Sequence, residues 1–382
     1  MSKKNRIAPD ASNEYNEPTT PVRGAVISQI AEENYTMFNG DCMEVLPLIP
    51  DNSIDLYVYS PPFLGLFHYS SSERDFSNCE SREQALLQYE FLVKELARTL
   101  KPGRICAVHC TDLMNSDGSQ YDYPHDIEEI HKRHGFKRMN KITIWKEPLK
   151  VRMRTMVKSL MHKLIVEDSS ECFTAMPDYV LIFQKKGKNA VPVEHPYGLT
   201  HYAGLRPLLP EHLSKYGLPV SEFTATGDFD AAYDEYVEKS FNALKKKYDG
   251  WEDQKTNKFS HIVWQRYASS VWEDIRIDEV LPFHDGRDED DEKHVHPLQL
   301  DVIDRIVELY SNPGEVVATP FAGVFSEVFS PVSMGRKALG IELKPSYFKQ
   351  GIENMKKAAK RWEAKKQKTL FDGGTEVEPV EL

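Results

Sequence analysis

Across 382 residues the chain has no apolar run approaching the ~18 residues that a membrane-spanning helix needs. Its first residues are too polar to read as a secretory signal. The five cysteines (Cys42, Cys79, Cys106, Cys110 and Cys172) form no CxxC pair and no zinc-ligand spacing, and their odd number argues against a disulfide framework. These absences set the expectation of a reducing, cytoplasmic setting with no membrane partner and no metal. Positive charge is also in deficit: 48 Lys and Arg stand against 59 Asp and Glu, for a net charge of −11. Taken as a total, that argues against a polyanionic partner.

The distribution of charge points the other way. Between His131 and Lys163 lie eleven Lys and Arg (132, 133, 137, 138, 141, 146, 150, 152, 154, 158 and 163) and one acid, Glu147. A smaller cluster, Lys245-Lys246-Lys247 with Lys255 and Lys258, reads as solvated surface. The acids gather in Asp285–Glu292 and in the C-terminal tail. An acidic protein with a segregated basic stretch can bind phosphates locally.

Residues 1–30 are polar and aperiodic and are expected to be a disordered arm. Tyr35–Phe38 reads as a strand ending at Asn39-Gly40-Asp41, and Ile54–Tyr59 as a β-prone, apolar strand. The spacing of Leu86, Leu87, Phe91, Leu92, Leu96 and Leu100 predicts a helix over 81–100, stopped by Lys101-Pro102-Gly103. Strands are expected at 105–109, 141–145 and 179–183, with a helix at 125–134 closed by Gly135. From about 185 to 280 the rhythm breaks, apart from an amphipathic helix near 228–247, and the segment reads as an inserted recognition region. Regular alternation returns with a helix at 298–310, a strand at 315–318, a loop at 319–326, a strand at 338–342 and a helix at 346–365. Alternating strands and helices predict an α/β, mostly parallel sheet covered on both faces.

One tetrapeptide stands out within this pattern, Ser60-Pro61-Pro62-Phe63. Consecutive prolines lack the N–H that a sheet ladder needs, so they end the Ile54–Tyr59 strand. Ser60 and Phe63 are thereby presented at its carboxyl end, where open α/β sheets bind ligands. Such a turn can hydrogen-bond the edge of a planar amine and stack on its face.

Together these segments resemble the DNA amino-methyltransferases, in the circularly permuted, beta-class motif order. Ser60-Pro61-Pro62-Phe63 is similar to that family's catalytic motif. Gly40-Asp41 and Pro50-Asp51-Asn52-Ser53-Ile54-Asp55 are similar to its upstream approach, His296-Pro297-Leu298-Gln299 to a helix start, and Gly340-Ile341-Glu342 to a strand end. The family's cofactor loop, Asp-Pro-Phe-x-Gly-x-Gly-Thr-Thr, is matched with departures by Thr319-Pro320-Phe321-Ala322-Gly323-Val324-Phe325-Ser326-Glu327. Thr319 stands in place of the acid and Phe325 in place of the second glycine.

The resemblance implies a Rossmann-like fold with a seven-stranded sheet, S-adenosylmethionine as cofactor, and methyl transfer to the exocyclic amine of a flipped base in double-stranded DNA. It implies a catalytic half at 31–185, a target-recognition region at 186–283, a cofactor-binding half at 284–365 and an acidic tail at 366–382. Ser60, Pro61, Pro62 and Phe63 are the catalytic candidates. Asp41, Thr319, Phe321, Ala322, Gly323 and Glu342 are the cofactor candidates, with Glu342 placed for the ribose hydroxyls. Arg152, Arg154, Lys158, Gln265 and Arg266 are the DNA candidates. Serine at the first motif position leans towards cytosine N4 over adenine N6. Phe325 keeps open a second reading, a degenerate binding module on the same fold; RNA or a protein glutamine are other substrates of this motif. His296 is expected to cap the helix that follows it, and His109 and Cys110 to pack in the core. A homodimer is compatible with the pattern.

Overall fold

The computed structural model of the protein describes residues 26–62, 76, 79, 81–115, 117–155, 160–196, 198–199, 201–204, 258–286 and 297–371. Its first half holds β1 (Val26–Ala31), β2 (Tyr35–Gly40), α1 (Cys42–Val45), β3 (Ile54–Tyr59), α2 (Arg82–Thr99) and β4 (Leu100–Thr111). There follow the small pair β5 (Leu113–Met114) and β6 (Gln120–Tyr121), then α3 (Tyr123–Arg133), β7 (Phe136–Ile144), α4 (Pro148–Thr155), α5 (His162–Glu167) and β8 (Asp178–Lys185). The second half holds α6 (Lys258–Tyr267), β9 (Val271–Trp272), α7 (Leu300–Tyr310), β10 (Val316–Thr319), α8 (Ser326–Ser333), β11 (Lys337–Glu342) and α9 (Pro345–Phe371).

Nine strands form one sheet in the order β1-β2-β11-β10-β3-β4-β8-β7-β9. The α/β class is as expected, with nine strands in place of seven. From β2 to β4 all neighbours are parallel. Every residue of β3 is buried, as a strand covered on both faces requires. One face packs on α7, α8 and α9 through Ile303, Ile306, Val328 and Met355, and the other on α1, α2 and α3 through Val45, Leu92, Leu96 and Ile127.

Several expectations shift. Residues 26–30, expected in the arm, form most of β1, which pairs antiparallel with β2. Lys101-Pro102-Gly103 does stop α2, but the chain continues directly as β4 through an irregular register opposite Ile54–Leu56. Residues 366–371, expected in the tail, are helical. α8 has no counterpart in the helical pattern of the sequence because Pro331 lies inside it. The buried face of α2 is rotated from the leucine spacing: Leu87 and Phe91 are exposed, while Tyr89 and Thr99 are buried. Their hydroxyls meet those of Tyr59 and Tyr57 at 2.8 and 2.7 Å, so polar partners inside the sheet turn the helix. The helix expected at 228–247 lies outside the described residues.

Two clasps join distant segments. Asp55, at the start of β3, accepts from Val316 N (3.0 Å) and from Lys101 Nζ (2.7 Å). Arg104 donates from Nε to the Asp55 carbonyl and pairs with Glu315. The second clasp is Arg305 on α7, fully buried, whose guanidinium lies 2.7 Å from Asp274 and donates to the Ala203 carbonyl. The rings of Tyr267 and Trp272 lie 4.9 and 5.1 Å from that guanidinium. Removing one member strands a buried charge, so Arg305→Ala is expected to cost about 3–5 kcal/mol in urea unfolding. An unchanged midpoint would contradict the clasp.

Candidate functional site

Four adjacent parallel strands end on one edge of the sheet: β2 at Gly40, β11 at Glu342, β10 at Thr319 and β3 at Tyr59. β10 pairs with β3 through Val317–Leu56 and Ala318–Tyr57, although some 260 residues separate the two strands in sequence. Here the strand order reverses, which leaves the crevice where such sheets bind ligands. The loop after β3 and the loop after β10 are therefore neighbours. The Tyr59 and Phe321 rings are 6.1 Å apart, and Phe76 meets Phe321 edge-on at 5.6 Å.

On the β3 side, Pro61 is buried and Ser60 and Pro62 are half-buried; Phe63 lies outside the described residues. Tyr123 Oη donates to the Pro62 carbonyl at 3.3 Å. Ser60 Oγ lies 2.8 Å from His109 Nδ1. His109, expected to be plain core packing, thus touches the motif. Its Nε2 lies 3.2 Å from Asp178 Oδ2, at ion-pair distance but poorly directed for a hydrogen bond. Lys146 Nζ donates to Asp178 Oδ1. Burial alone would raise the Asp178 carboxyl, but Lys146 and His109 beside it hold it down to about 2. A histidine near a strand end is the single hint of this group in the sequence. Asp178 and Lys146 leave no such trace, because their places follow from strand pairing.

On the other side, Glu342 Oε2 accepts from Gly323 N and Oε1 from Lys344 N, both at 2.7 Å. These bonds tie the β10 loop to the end of β11. Asn39 donates to the Glu342 carbonyl at 2.8 Å and so locks the end of β11 against β2. Asp41 caps α1 by accepting from Met43 N. Ala322 is buried, and Gly323 has φ +51 with no described atom within 4 Å of where a Cβ would stand. Thr319 Oγ1 and Ser326 Oγ are buried without a hydrogen-bond partner among the described residues. Burial pushes the Glu327 carboxyl up to about 8, with Glu342 adding to the rise.

Phe325 resolves the departure in this loop. Its backbone is left-handed (φ 70, ψ 32), the conformation a glycine would supply. Its ring is fully buried and points away from the loop into a recess left by Gly340 and Gly351, with Phe348 edge-on at 5.8 Å. The strain of a left-handed residue, about 1–2 kcal/mol, is offset by burying the ring, roughly 1.5–3 kcal/mol.

The DNA candidates are less concentrated than the charge run suggests. Lys132, Arg133, Arg138, Lys146 and Lys150 pair with Glu128, Glu90, Glu128, Asp178 and Asp278. Most of those acids come from other segments, which a linear charge count cannot anticipate. Arg152 lines a cleft on α4 with Leu149, Met153 and Met161. Arg154 is also on α4, and Lys158 lies outside the described residues. On α6, Gln265 is exposed and Arg266 lies 3.4 Å from Glu273. His296 is outside the described residues, and the residue preceding α7 is Gln299. Cys42 and Cys106 are buried, which pushes both thiols up.

Residues 54–353 match the sequence model of the N6_N4_Mtase DNA methylase family. The chain belongs to that family. It is similar to the DNA adenine methyltransferase YhdJ of Escherichia coli K12, 32% identical over 93 residues, which are 24% of this chain and 29% of that protein. It is also similar to the type II methyltransferase M.BglII of Bacillus subtilis, 22% identical over 313 residues, 81% of this chain and 66% of that one. The chain thus spans less than two thirds of the length of either relative. Among solved structures, TTHA0409 of Thermus thermophilus complexed with S-adenosyl-L-methionine aligns over 85% of this chain and 94% of its own, at 20% identity and a TM-score of 0.49. The cytosine-N4-specific PvuII DNA methyltransferase aligns over 87% and 92%, at 14% identity and a TM-score of 0.46.

The packing of Phe325 can be tested by substitution. A Cβ at Gly351 would stand 2.2 Å from Phe325 Cδ2. Gly351→Ala is expected to cost about 1–3 kcal/mol in unfolding, and distinctly less in a Phe325→Ala background. Equal costs in the two backgrounds would contradict the interlock.

Proposed function

We propose that the protein transfers a methyl group from S-adenosylmethionine to the exocyclic amine of a flipped base in double-stranded DNA, with cytosine N4 favoured. The observation that carries this reading is the meeting of the Ser60-Pro61 edge with the Thr319–Gly323 loop across the β3–β10 junction. Membership of the DNA methylase family supports the reaction class. Ser60 favours cytosine; the name of the E. coli relative favours adenine N6 as the second reading.

The residues around the β10 loop fit the donor. Two buried hydroxyls lack partners among the described residues, Gly323 leaves open space, and the Glu342 carboxylate, the group assigned to the ribose hydroxyls, reaches the same loop at Gly323. The ring of Phe325 does not enter this space, which weakens the degenerate-module reading. When bound, S-adenosylmethionine supplies an electrophilic methyl group: as the C–N bond forms, the C–S bond breaks and its electron pair stays on sulfur.

The chain's part is to prepare the nucleophile. An exocyclic amine is weak because its lone pair is delocalised into the ring. Accepting its two N–H bonds at Ser60 Oγ and the Pro61 carbonyl draws the nitrogen towards tetrahedral geometry and localises the pair. Phe63 would stack on the base, a contact worth about 1–3 kcal/mol, which offsets much of the few kcal/mol that flipping costs. Alignment of amine and methyl group supplies the remaining acceleration. Arg152, Arg154 and Lys158 are assigned to phosphates, and Gln265 and Arg266 to base edges or phosphates.

Mass spectrometry of nucleosides from duplex DNA treated with the protein tests this directly. N4-methylcytosine is expected, N6-methyladenine would transfer the site to the second reading, and neither product would refute the function. Ser60→Ala is expected to keep S-adenosylmethionine binding while losing about a hundredfold in turnover, as for other missing transition-state hydrogen bonds; unchanged turnover would rule out the site. Reversing Arg152 and Arg154 to Glu should weaken DNA binding and flatten its salt dependence by roughly 0.9 in log–log slope for each phosphate no longer neutralised. Equal slopes would refute the phosphate assignment.

A further inference from the structure

The pleat of the sheet puts four polar side chains on one face at the catalytic edge. Val58 is opposite Ala107 in the β3–β4 register, so one pleat onward Ser60 comes opposite His109. In the β4–β8 register His109 is opposite Val180, two residues from Asp178 and on the same face. Ile144 of β7 is opposite Asp178, and Lys146 follows two residues later. The outcome is a chain of contacts, Ser60–His109–Asp178–Lys146, running across four strands.

Resting on the function proposed above, we propose that His109 and Asp178 are positioning residues that hold Ser60 as a hydrogen-bond acceptor for the substrate amine and receive the proton released by methylation. A serine hydroxyl can donate or accept, and only acceptance activates the amine. Asp178 is ionised and its Oδ2 lies 3.2 Å from Nε2, so the carboxylate favours a proton on Nε2 over one on Nδ1 by charge alone, with no directed hydrogen bond between them. Nδ1 is then a bare acceptor and takes the Ser60 hydroxyl hydrogen. With its hydrogen so engaged, Ser60 Oγ can act towards the substrate only as an acceptor. After the C–N bond forms, the nitrogen carries one proton too many. That proton passes to Ser60 Oγ as the serine's own proton passes to Nδ1, and the resulting imidazolium rests against Asp178. It is released to solvent when the product leaves, and nothing is oxidised or reduced. His109 is 8% exposed, which leaves it a path to solvent.

The other ionisable groups around His109 are engaged elsewhere. Cys110 and, through Tyr179, Asp112 belong to the opposite face of β4. On α7, which packs across β3 and β4, Asp301 pairs with Arg276, Arg305 with Asp274, and Asp304 and Glu308 with His201. A second proton on His109 makes Nδ1 a donor and turns the Ser60 hydrogen towards the substrate, so activity falls on the acid side.

Two measurements on the full chain test the pair. The first is ¹⁵N NMR of the His109 ring in the parent, Ser60→Ala and Asp178→Asn proteins, without DNA or cofactor. The Nε2–H tautomer is expected in the parent and its loss in Asp178→Asn; an Nδ1–H parent, or no response to either change, overturns the proposal. The second is the pH profile of single-turnover methylation at saturating S-adenosylmethionine. His109→Asn is expected to bind the donor as the parent does, to lose about a hundredfold in rate as for a missing general base, and to lose the acid limb. A variant with the parent's rate and acid limb overturns the proposal, as does one whose loss is confined to donor binding. An inactive parent with the expected tautomer refutes the functional reading instead, so the two failures are distinguishable.

Discussion

The site exists because β10 pairs in parallel with β3. That pairing joins two halves of the chain that the sequence separates by more than 250 residues, and it does so at the point where strand order reverses. Asp55 enforces it from below by accepting from Val316 N and holding Lys101, while Arg104 bridges to Glu315. With the strand bases clasped in this way, the loops at the opposite ends have one register available. The Ser60-Pro61-Pro62 turn then faces the Thr319–Gly323 loop.

Each loop is held rigid by a different device. Proline fixes the β3 turn, and Tyr123 ties down its second carbonyl. The β10 loop is held through Glu342, which accepts backbone N–H groups from Gly323 and Lys344. It is held also through Phe325, whose ring plugs the recess between Gly340 and Gly351. Glycine at Phe325 would give the same backbone turn with no anchor. This chain gains the anchor by giving up side chains at the two facing positions.

Much of this is legible in the sequence. β3 and its terminating prolines, the strand ending at Glu342 and the α/β rhythm follow from propensity, periodicity and turn chemistry. What is not legible depends on pairing between strands. His109 reads as one more residue in a buried strand until β3 and β8 are set on either side of it. The basic run reads as a phosphate surface until Glu90, Glu128, Asp178 and Asp278 neutralise much of it. Leucine spacing misplaces the buried face of α2 because it outweighs Tyr89 and Thr99, whose hydroxyls find partners only inside the sheet. Phe325 looks like a defect because its compensating glycines lie 15 and 26 residues further on, a relation that only packing reveals.

If methyl donor and target amine meet in the crevice between these two loops, a co-crystal with S-adenosyl-L-homocysteine will show it. Ribose hydroxyls are expected on Glu342, with the sulfur facing Ser60 and Pro61 across the β3–β10 junction. Ligand density on another edge of the sheet, or a sulfur turned away from Ser60, would mean that the crevice is not where transfer takes place.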